Sequence, residues 1–380
     1  MTKGIIISGG WGTRLRPLTC TIPKPLIPIV NKPVIEHQIL LLKRAGVTEI
    51  TLAVGVMADI IKNYFGDGKK YGLKIQYTDE RSPMGTAGAI KLAEDFLKDD
   101  NFFMLNGDII INFDFNQMLK FHKLTKGIGL IASKVVENPS RYGVLIVDAK
   151  SNQILKFLEK DEYTPDGGIV IPMPINAGVY LLQPEILNYI ESSKKVSIER
   201  DIFSKLAHEG NLYCHQITGI WRDIGAPEEL LEGNFQLMED ILQNSKDQKK
   251  NLIDDNLDID GKAIIYSPVA IGKNVIIRKN CEIGPNVIIG DNVYIGDNTK
   301  IRESLIYNAA YLSKNVEIER AIISDNCLIH DDVKLKGISH NLVILASYVE
   351  ILKGVSLIAT SNSSINVCHH EIIRDEKPIF

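Results

Sequence analysis

Cysteine is scarce in this chain and is arranged to no structural end. Cys20, Cys214, Cys281, Cys327 and Cys368 are scattered, odd in number and free of any CxxC spacing. That argues against a disulfide frame or a cysteine-based zinc site and fits reduced thiols in a cytoplasmic protein. A dense stripe of Lys and Arg is also missing, and the net charge is −4. Nucleic acid is therefore not an expected partner, since neutralising its phosphates needs clustered cations. No stretch approaches the roughly 18 uninterrupted apolar residues of a membrane span, so no membrane association is expected. The opening MTKGIIISGGWGTRL lacks a charged leader followed by a long apolar run, so no signal peptide is expected. The eight histidines are dispersed, and no Ser-His-Asp or Cys-His set is evident.

What is present suits two domains. The chain has 380 residues, 45% hydrophobic and 24% charged, enough apolar surface for two cores. Its first half alternates short apolar runs with helical patterns. Gly4–Ser8, Ile50–Gly55, Ile75–Thr78, Phe102–Leu105, Val144–Val147 and Ala177–Leu182 read as strands. Pro33–Ala45 reads as a helix with Ile35, Ile39 and Leu42 on one face, opened by Pro33 and closed by Gly46. Strands alternating with helices imply an α/β domain with a mixed, mostly parallel, Rossmann-like sheet. We assign residues 1–240 to this domain and the polar stretch 241–261 to a linker.

Residues 262–380 follow a different rule. Ile265, Ile271, Ile277, Ile283, Ile289, Ile295 and Ile301 are six apart, and small or β-branched residues stand two before each. The ladder slips by one residue and resumes at Ile306, Leu312 and Ile318, then at Ile323, Ile329 and Leu335, and finally at Leu345, Ile351 and Leu357. No α-helix has a six-residue period. A three-sided coil does, so 262 to about 358 read as a parallel β-helix of roughly five turns. The pattern resembles the left-handed hexapeptide β-helix family, and the handedness is what that resemblance implies.

Ser8-Gly9-Gly10-Trp11-Gly12-Thr13-Arg14-Leu15 follows the first strand directly. Such glycines let the backbone turn sharply, and successive N–H groups form an anion-binding concavity that Arg14 can complete with a guanidinium fork. The loop is neither a GxGxxG fingerprint nor a Walker A motif. Pro23-Lys24-Pro25 follows, and the flanking prolines suggest a rigid, extended, non-helical mount for Lys24.

GGWGTRLRPLT with PKPL resembles the signature of the sugar-1-phosphate nucleotidyltransferases. The likeness continues through Asn31–Gln38, Gly85–Gly88, Phe103–Asp108, Phe121–Lys123, Arg141–Val144, Asn176–Gly178 and Trp221–Gly225. Within the family it is nearest the mannose-1-phosphate guanylyltransferase branch, because Pro23-Lys24-Pro25 replaces the Ser-Lys-Gln usual in thymidylyltransferases. The resemblance implies transfer of a nucleoside monophosphate from a nucleoside triphosphate to a sugar 1-phosphate, here GTP and mannose 1-phosphate. UTP or dTTP with glucose 1-phosphate, or a non-catalytic nucleotide-sugar-binding subunit, remain alternatives.

The site residues follow from that likeness. Arg14, Lys24 and Asp108 are the expected catalytic residues. Gly9, Gly10, Gly12, Thr13, Arg14 and Lys24 would bind the triphosphate. Glu80, Gly85, Thr86 and Ala87, within the segment ERSPMGTAG, would frame the base, with the Glu80 carboxylate suited to guanine's donors. Asp108 stands at the end of a predicted strand and Asp223 in a second such corner, before Ile224-Gly225, and the resemblance makes them ligands of Mg²⁺, a hard ion that favours oxygen donors. Gly143, Glu159, Lys160 and Asn176 would hold the sugar phosphate. Here the chain departs from the family: Asp161 stands where Pro is usual, and 161–175 is a longer loop. The coil is expected to serve assembly, giving a homo-oligomer. An acyltransferase role for it finds His330, His340, His369 and His370 available, with nothing marking one as a base.

Overall fold

The computed structural model describes residues 2–80, 84–192, 194–245 and 247–374. By packing, the chain divides into two units: residues 1–10 with 34–221, and residues 11–33 with 222–380.

The first unit is built on a nine-stranded sheet. Its strands are β1 (Lys3–Ser8), β2 (Glu49–Val54), β3 (Lys74–Asp79), β4 (Phe102–Asn106), β5 (Gly129–Val136), β6 (Val144–Val147), β7 (Ile154–Leu158), β8 (Met173–Leu182) and β9 (Leu212–Gln216). The main path runs β7-β6-β8-β4-β1-β2-β3, with β5 paired to β8 and β9 paired to β5. β4, β1, β2 and β3 are mutually parallel. β8 runs antiparallel to β4, and so provides the mixed character expected. Strands covered on both faces read as continuous apolar runs, and Phe102–Leu105 are all fully buried.

Helix α1 (Val34–Arg44) buries Val34, Ile35, Ile39, Leu41 and Leu42. It begins one residue after Pro33, which instead ends a short strand pair, Pro28–Ile29 with Lys32–Pro33. Gly46 adopts φ +84° just beyond the helix, as a terminating glycine should. The buried Gln38 amide donates to the carbonyls of Asn106 and Ile109, at 2.9 and 3.0 Å, and so ties α1 to the end of β4. Helix α2 (Gly85–Leu92) begins at the GTAG motif.

The second unit contains the coil. Among the described residues, three all-parallel sheets hold seven, seven and six short strands. Val269 pairs with Val287, Val287 with Ser304, and Ala321 with Val343, so successive turns take 18, 17 or 22 residues. Three hexapeptides per turn is the architecture of the left-handed hexapeptide β-helix. The predicted aliphatics stack inward: Ile271, Ile289, Ile306, Ile323 and Leu345 belong to one buried column within a continuous core. Asn274, Asn280, Asn292, Asn298 and Asn315 take positive φ at the corners, a conformation asparagine tolerates better than other non-glycine residues. Their amides form ladders, with Asn280 donating to Asn298 and Asn298 to Asn315 at 3.1 and 3.0 Å.

The coil is longer than its Ile ladder suggests. Its strands begin at Leu252–Ile253 and Asp258–Ile259, inside the stretch read as linker, and end at Ile372–Ile373. Helix α3 (Pro227–Gln243) precedes it.

Candidate active site

In the sheet unit, the carboxyl ends of the parallel strands carry the first group of site residues. β1 ends at Ser8 and passes the chain to Gly9. A Cβ on Gly9 would lie 2.8 Å from Glu80 Oε2, and one on Gly55 would lie 3.1 Å from the Gly9 carbonyl. The backbone is therefore crowded on one side of the loop. Among the described residues, no atom comes within 4 Å of where a Gly10 Cβ would stand. Glu80 follows β3, and its Oε1 accepts the Met84 N–H at 2.6 Å. Part of its acceptor capacity is thus used to shape its own loop. Arg81–Pro83 of the same motif lie outside the described residues.

Asp108 occupies the turn after β4. The Gly107 N–H donates to the Ile7 carbonyl at 2.8 Å, and a Gly107 Cβ would stand 2.7 Å from that same oxygen. Only glycine lets β4 close on β1 here, and that closure sets where Asp108 emerges.

The expected base-framing residues face protein more than open space. Gly85 has φ +77°, and a Cβ there would collide with the Val196 carbonyl. The Ala87 N–H donates to that carbonyl, and the Ala87 side chain is fully buried. The Thr86 hydroxyl donates to Glu199 at 2.8 Å and accepts the Ile198 N–H at 2.9 Å. The close approach inferred from these glycines is thus an approach of the chain's own 196–198 segment. Any contact with a ligand from Gly85–Ala87 must come largely from backbone.

Two of the residues expected on the sugar side, Gly143 and Asn176, meet. The Asn176 N–H donates to the Gly143 carbonyl at 2.8 Å, and a Gly143 Cβ would press on the Phe157 ring at 3.0 Å. The Asn176 amide donates to the buried Tyr180 hydroxyl at 2.8 Å. Glu159 is half-buried, and that burial, with the negative charge of Glu199 beside it, pushes its carboxyl above the usual range against the opposing pull of Arg200. Lys160 is exposed. Asp161 forms a two-pronged ion pair with Arg200, at 2.7 and 2.8 Å, which gives the unusual residue after Glu159-Lys160 a structural role. Glu199, Arg200 and Tyr180 were not singled out from the sequence. They stand far from Glu159 or Thr86 in the chain, and only the sheet brings them together.

In the second unit, Gly12 takes φ +60°, and a Cβ on it would lie 3.0 Å from Thr19 Cγ2 and 3.1 Å from Lys24 Cβ. The Thr19 hydroxyl donates to the Gly12 carbonyl at 2.8 Å. Thr13 opens a single 3₁₀ turn, Thr13–Leu15, that leaves Arg14 exposed while burying Leu15. Lys24 is half-buried and begins another such turn, Lys24–Leu26. The extended mount expected between two prolines is therefore corrected. Pro25 falls in the first turn, where its absent N–H costs nothing, so the prolines permit one helical turn and stop it there. Asp223 ends a strand at Ile220–Asp223. A Cβ on Gly225 would lie 2.9 Å from Asp223 Oδ2, 3.0 Å from Glu229 Oε2 and 3.3 Å from Arg14 Cζ. Two carboxylates and a guanidinium thus ring a cradle that only glycine leaves open.

An open α/β sheet whose parallel strands run out into a glycine turn at Gly9 and acidic residues at Glu80 and Asp108 presents those strand ends to its ligand crevice. Residues 3–240 match the family model described as nucleotidyl transferase, and residues 265–377 match one described as GMPPB C-terminal domain. The chain belongs to the nucleotidyl transferase family. It is 44% identical over 257 residues to mannose-1-phosphate guanyltransferase of Saccharomyces cerevisiae, covering 66% of this chain and 68% of that one. It is 45% identical over 233 residues to the mannose-1-phosphate guanylyltransferase catalytic subunit beta of Dictyostelium discoideum, covering 61% and 63%. These alignments span about two thirds of the relatives' length. Among solved structures, a putative glucose-1-phosphate thymidylyltransferase from Bacillus anthracis in complex with a sucrose aligns with TM-score 0.56 at 28% identity, over 62% of this chain and 94% of that one. HddC from Yersinia pseudotuberculosis complexed with GMP-PN aligns with TM-score 0.53 at 27% identity, over 62% and 100%. No helix among the described residues is long and apolar enough to cross a membrane.

Proposed function

We propose that the chain transfers the guanylyl group of GTP to mannose 1-phosphate, forming GDP-mannose and releasing pyrophosphate. The observation that carries the reaction class is the left-handed turn at Gly12, packed against Lys24 and followed by an exposed Arg14. It offers backbone amides and two cations to one polyanion. The choice of guanine and mannose rests on relatives at 44 and 45% identity that are named for that reaction.

In this reading an oxygen of the sugar phosphate attacks the α-phosphorus of GTP in line. The bond from that phosphorus to its bridging oxygen breaks, and the electron pair leaves with pyrophosphate. The attacking phosphate is already ionised at neutral pH, so no side-chain nucleophile is required. The barrier lies in bringing two polyanions together and aligning them. Arg14 and Lys24 offset charge on the triphosphate, and Lys160 offsets it on the sugar phosphate. Gly9, Gly10, Gly12 and Thr13 fix the geometry of the loop. Glu80 and the Gly85–Ala87 backbone frame the base. Glu159, Asn176 and the Gly143 backbone hold sugar hydroxyls.

Asp108 and Asp223 are the proposed ligands of Mg²⁺. Two carboxylates suit an ion that completes its shell with phosphate oxygens and water, and the Gly225 cradle keeps the Asp223 carboxylate clear of any side chain at that position. When bound, the ion neutralises phosphate charge. Cytoplasmic residence and a homo-oligomer joined through the coil complete the reading.

The test is a pyrophosphate-release assay with Mg²⁺, pairing GTP, UTP, dTTP, ATP and CTP with mannose, glucose and N-acetylglucosamine 1-phosphates. GTP with mannose 1-phosphate should be fastest. Faster turnover of UTP or dTTP with glucose 1-phosphate overturns the branch, and no turnover with any pair overturns the reaction class.

A further inference from the structure

The segment that carries Arg14 and Lys24 packs in one unit with the coil, and specific bonds hold it there. In one of the three coil sheets, the outward residues Ile288, Leu305, Ile322 and Ile344 are buried, although a solvated coil face would expose them. The same unit supplies partners along this face. The Asn31 amide donates to the Ile289 carbonyl at 2.7 Å. The Thr21 hydroxyl bonds Ser347 Oγ at 2.9 Å, and Ser347 Oγ bonds Ser324 Oγ at 3.0 Å. Ser324 and Ser347 are both buried in the coil. Their chain of hydroxyls ends at Thr21, between Arg14 and Lys24 in the sequence. From there the 3₁₀ turn Leu18–Cys20 leads to Thr19, whose hydroxyl holds the Gly12 carbonyl.

A second anchor lies at Val30 and Asn31, which take φ +47° and +63° between the two short strands. Positive φ is costly for a β-branched residue and persists only where surroundings enforce it. Here the Val30 N–H donates to the buried Asn234 of α3 at 2.7 Å, while Asn31 is fixed by the coil.

We propose that the coil is a working part of the nucleotide site: Ser347, through Thr21, and the Ile289 carbonyl, through Asn31, hold the Arg14–Lys24 segment in its triphosphate-binding form. Thr21, Asn31 and Ser347 are positioning residues. The proposal rests on the reading above for the identity of the nucleotide, but the tethering can be measured without turnover.

The experiment compares the full-length chain with Thr21→Val, which keeps shape and removes the hydroxyl, and Asn31→Gly, which keeps the left-handed backbone and removes the amide. Thr21→Ser restores the hydroxyl. Amide hydrogen exchange is followed across 11–33, free and with GTP and Mg²⁺, alongside KM for each substrate. Thr21→Val and Asn31→Gly should each speed exchange in 11–33 by about tenfold while coil peptides stay protected. Each should raise KM for GTP by about fivefold and leave KM for mannose 1-phosphate unchanged, as loss of one positioning hydrogen bond implies. Thr21→Ser should recover both. Unchanged exchange in 11–33 overturns the tether. Faster exchange with an unchanged KM for GTP overturns its link to the nucleotide. If the wild-type chain turns over no substrate pair, the reaction reading fails, and exchange with and without GTP still decides the tether.

Discussion

The sheet of the first unit and the coil of the second bury their aliphatic side chains by different rules. In the sheet, β4 gains its neighbours β1 and β8 from distant parts of the chain, so each buried residue depends on the whole topology. In the coil, Ile306 meets Ile289 and Ile323, one turn away on either side, and little else sets its place. A nearest-neighbour stack is regular and carries no chemistry of its own. The proposed chemistry falls instead on irregular pieces: the Gly9–Lys24 loop, the turn at Asp108 and the corner at Gly225. The contrast teaches that the regular part of this molecule matters for function by what it holds in place.

The comparison can be broken or sharpened in several ways. The largest effect expected is on catalysis. Lys24→Ala should lower turnover by about a thousandfold, the scale of removing a charge-stabilising group, with the thermal midpoint preserved. A near-normal rate of pyrophosphate release would remove Lys24 from the chemistry. Next come paired core truncations. Ile306→Ala and Leu105→Ala, both at fully buried positions, should each cost about 3 kcal/mol in urea unfolding. In hydrogen exchange the coil variant should loosen only adjacent turns, whereas the sheet variant should loosen β1, β4 and β8 together. Equal spread in both would erase the distinction.

Gly12→Ala strains a left-handed turn and crowds Lys24, and should raise KM for GTP about tenfold at a cost of about 1 kcal/mol in stability. Asn298→Ala breaks a corner ladder and should cost about 1 kcal/mol, with Asn298→Gly costing less because glycine accepts positive φ. The smallest effect concerns pH. Glu159 has its carboxyl raised by burial and by Glu199. As pH falls through that raised value Glu159 takes up a proton, so KM for mannose 1-phosphate should rise. Glu199→Gln removes a like charge, lowers the Glu159 pKa and should move this limb to lower pH, a difference of about threefold in KM on the acid side of the profile. An unmoved limb would mean that Glu159 does not meet the sugar.

Much of this was legible in the sequence, for reasons that differ by region. The coil announced itself because Ile271, Ile289 and Ile306 face the same core and the period survives substitution of everything between them. Its first strands, at Leu252–Ile253 and Asp258–Ile259, escaped because few aliphatics stand among Asp, Asn and Lys there, although Ile253, Ile259 and Ile265 keep the six-residue step. Strands β1 and β4 were visible as apolar runs, and Asp108 as the residue after Asn106-Gly107. The helical turn at Lys24 was not, since proline reads as a breaker unless its place in the first turn is known. Glu199 could not be reached at all, because its bond to Thr86 joins residues 113 positions apart.

The corners of the coil differ in a way that bears on its history. Between the first and second sheets four residues always intervene, as in 272–275, 290–293 and 346–349, and the same holds between the second and third. Between the third and first sheets the interval varies: 266–268 and 284–286, then Glu303 alone, then Arg320 alone, then 337–342 and 359–364. All length variation is thus confined to one edge of a triangular prism. That edge is narrowest where Arg320 reaches Glu232 of α3 and Glu303, and widest further along. The prism can lengthen its loops there without shifting any side chain out of register, so new peptide can be accepted along a single seam while the other two edges keep their spacing.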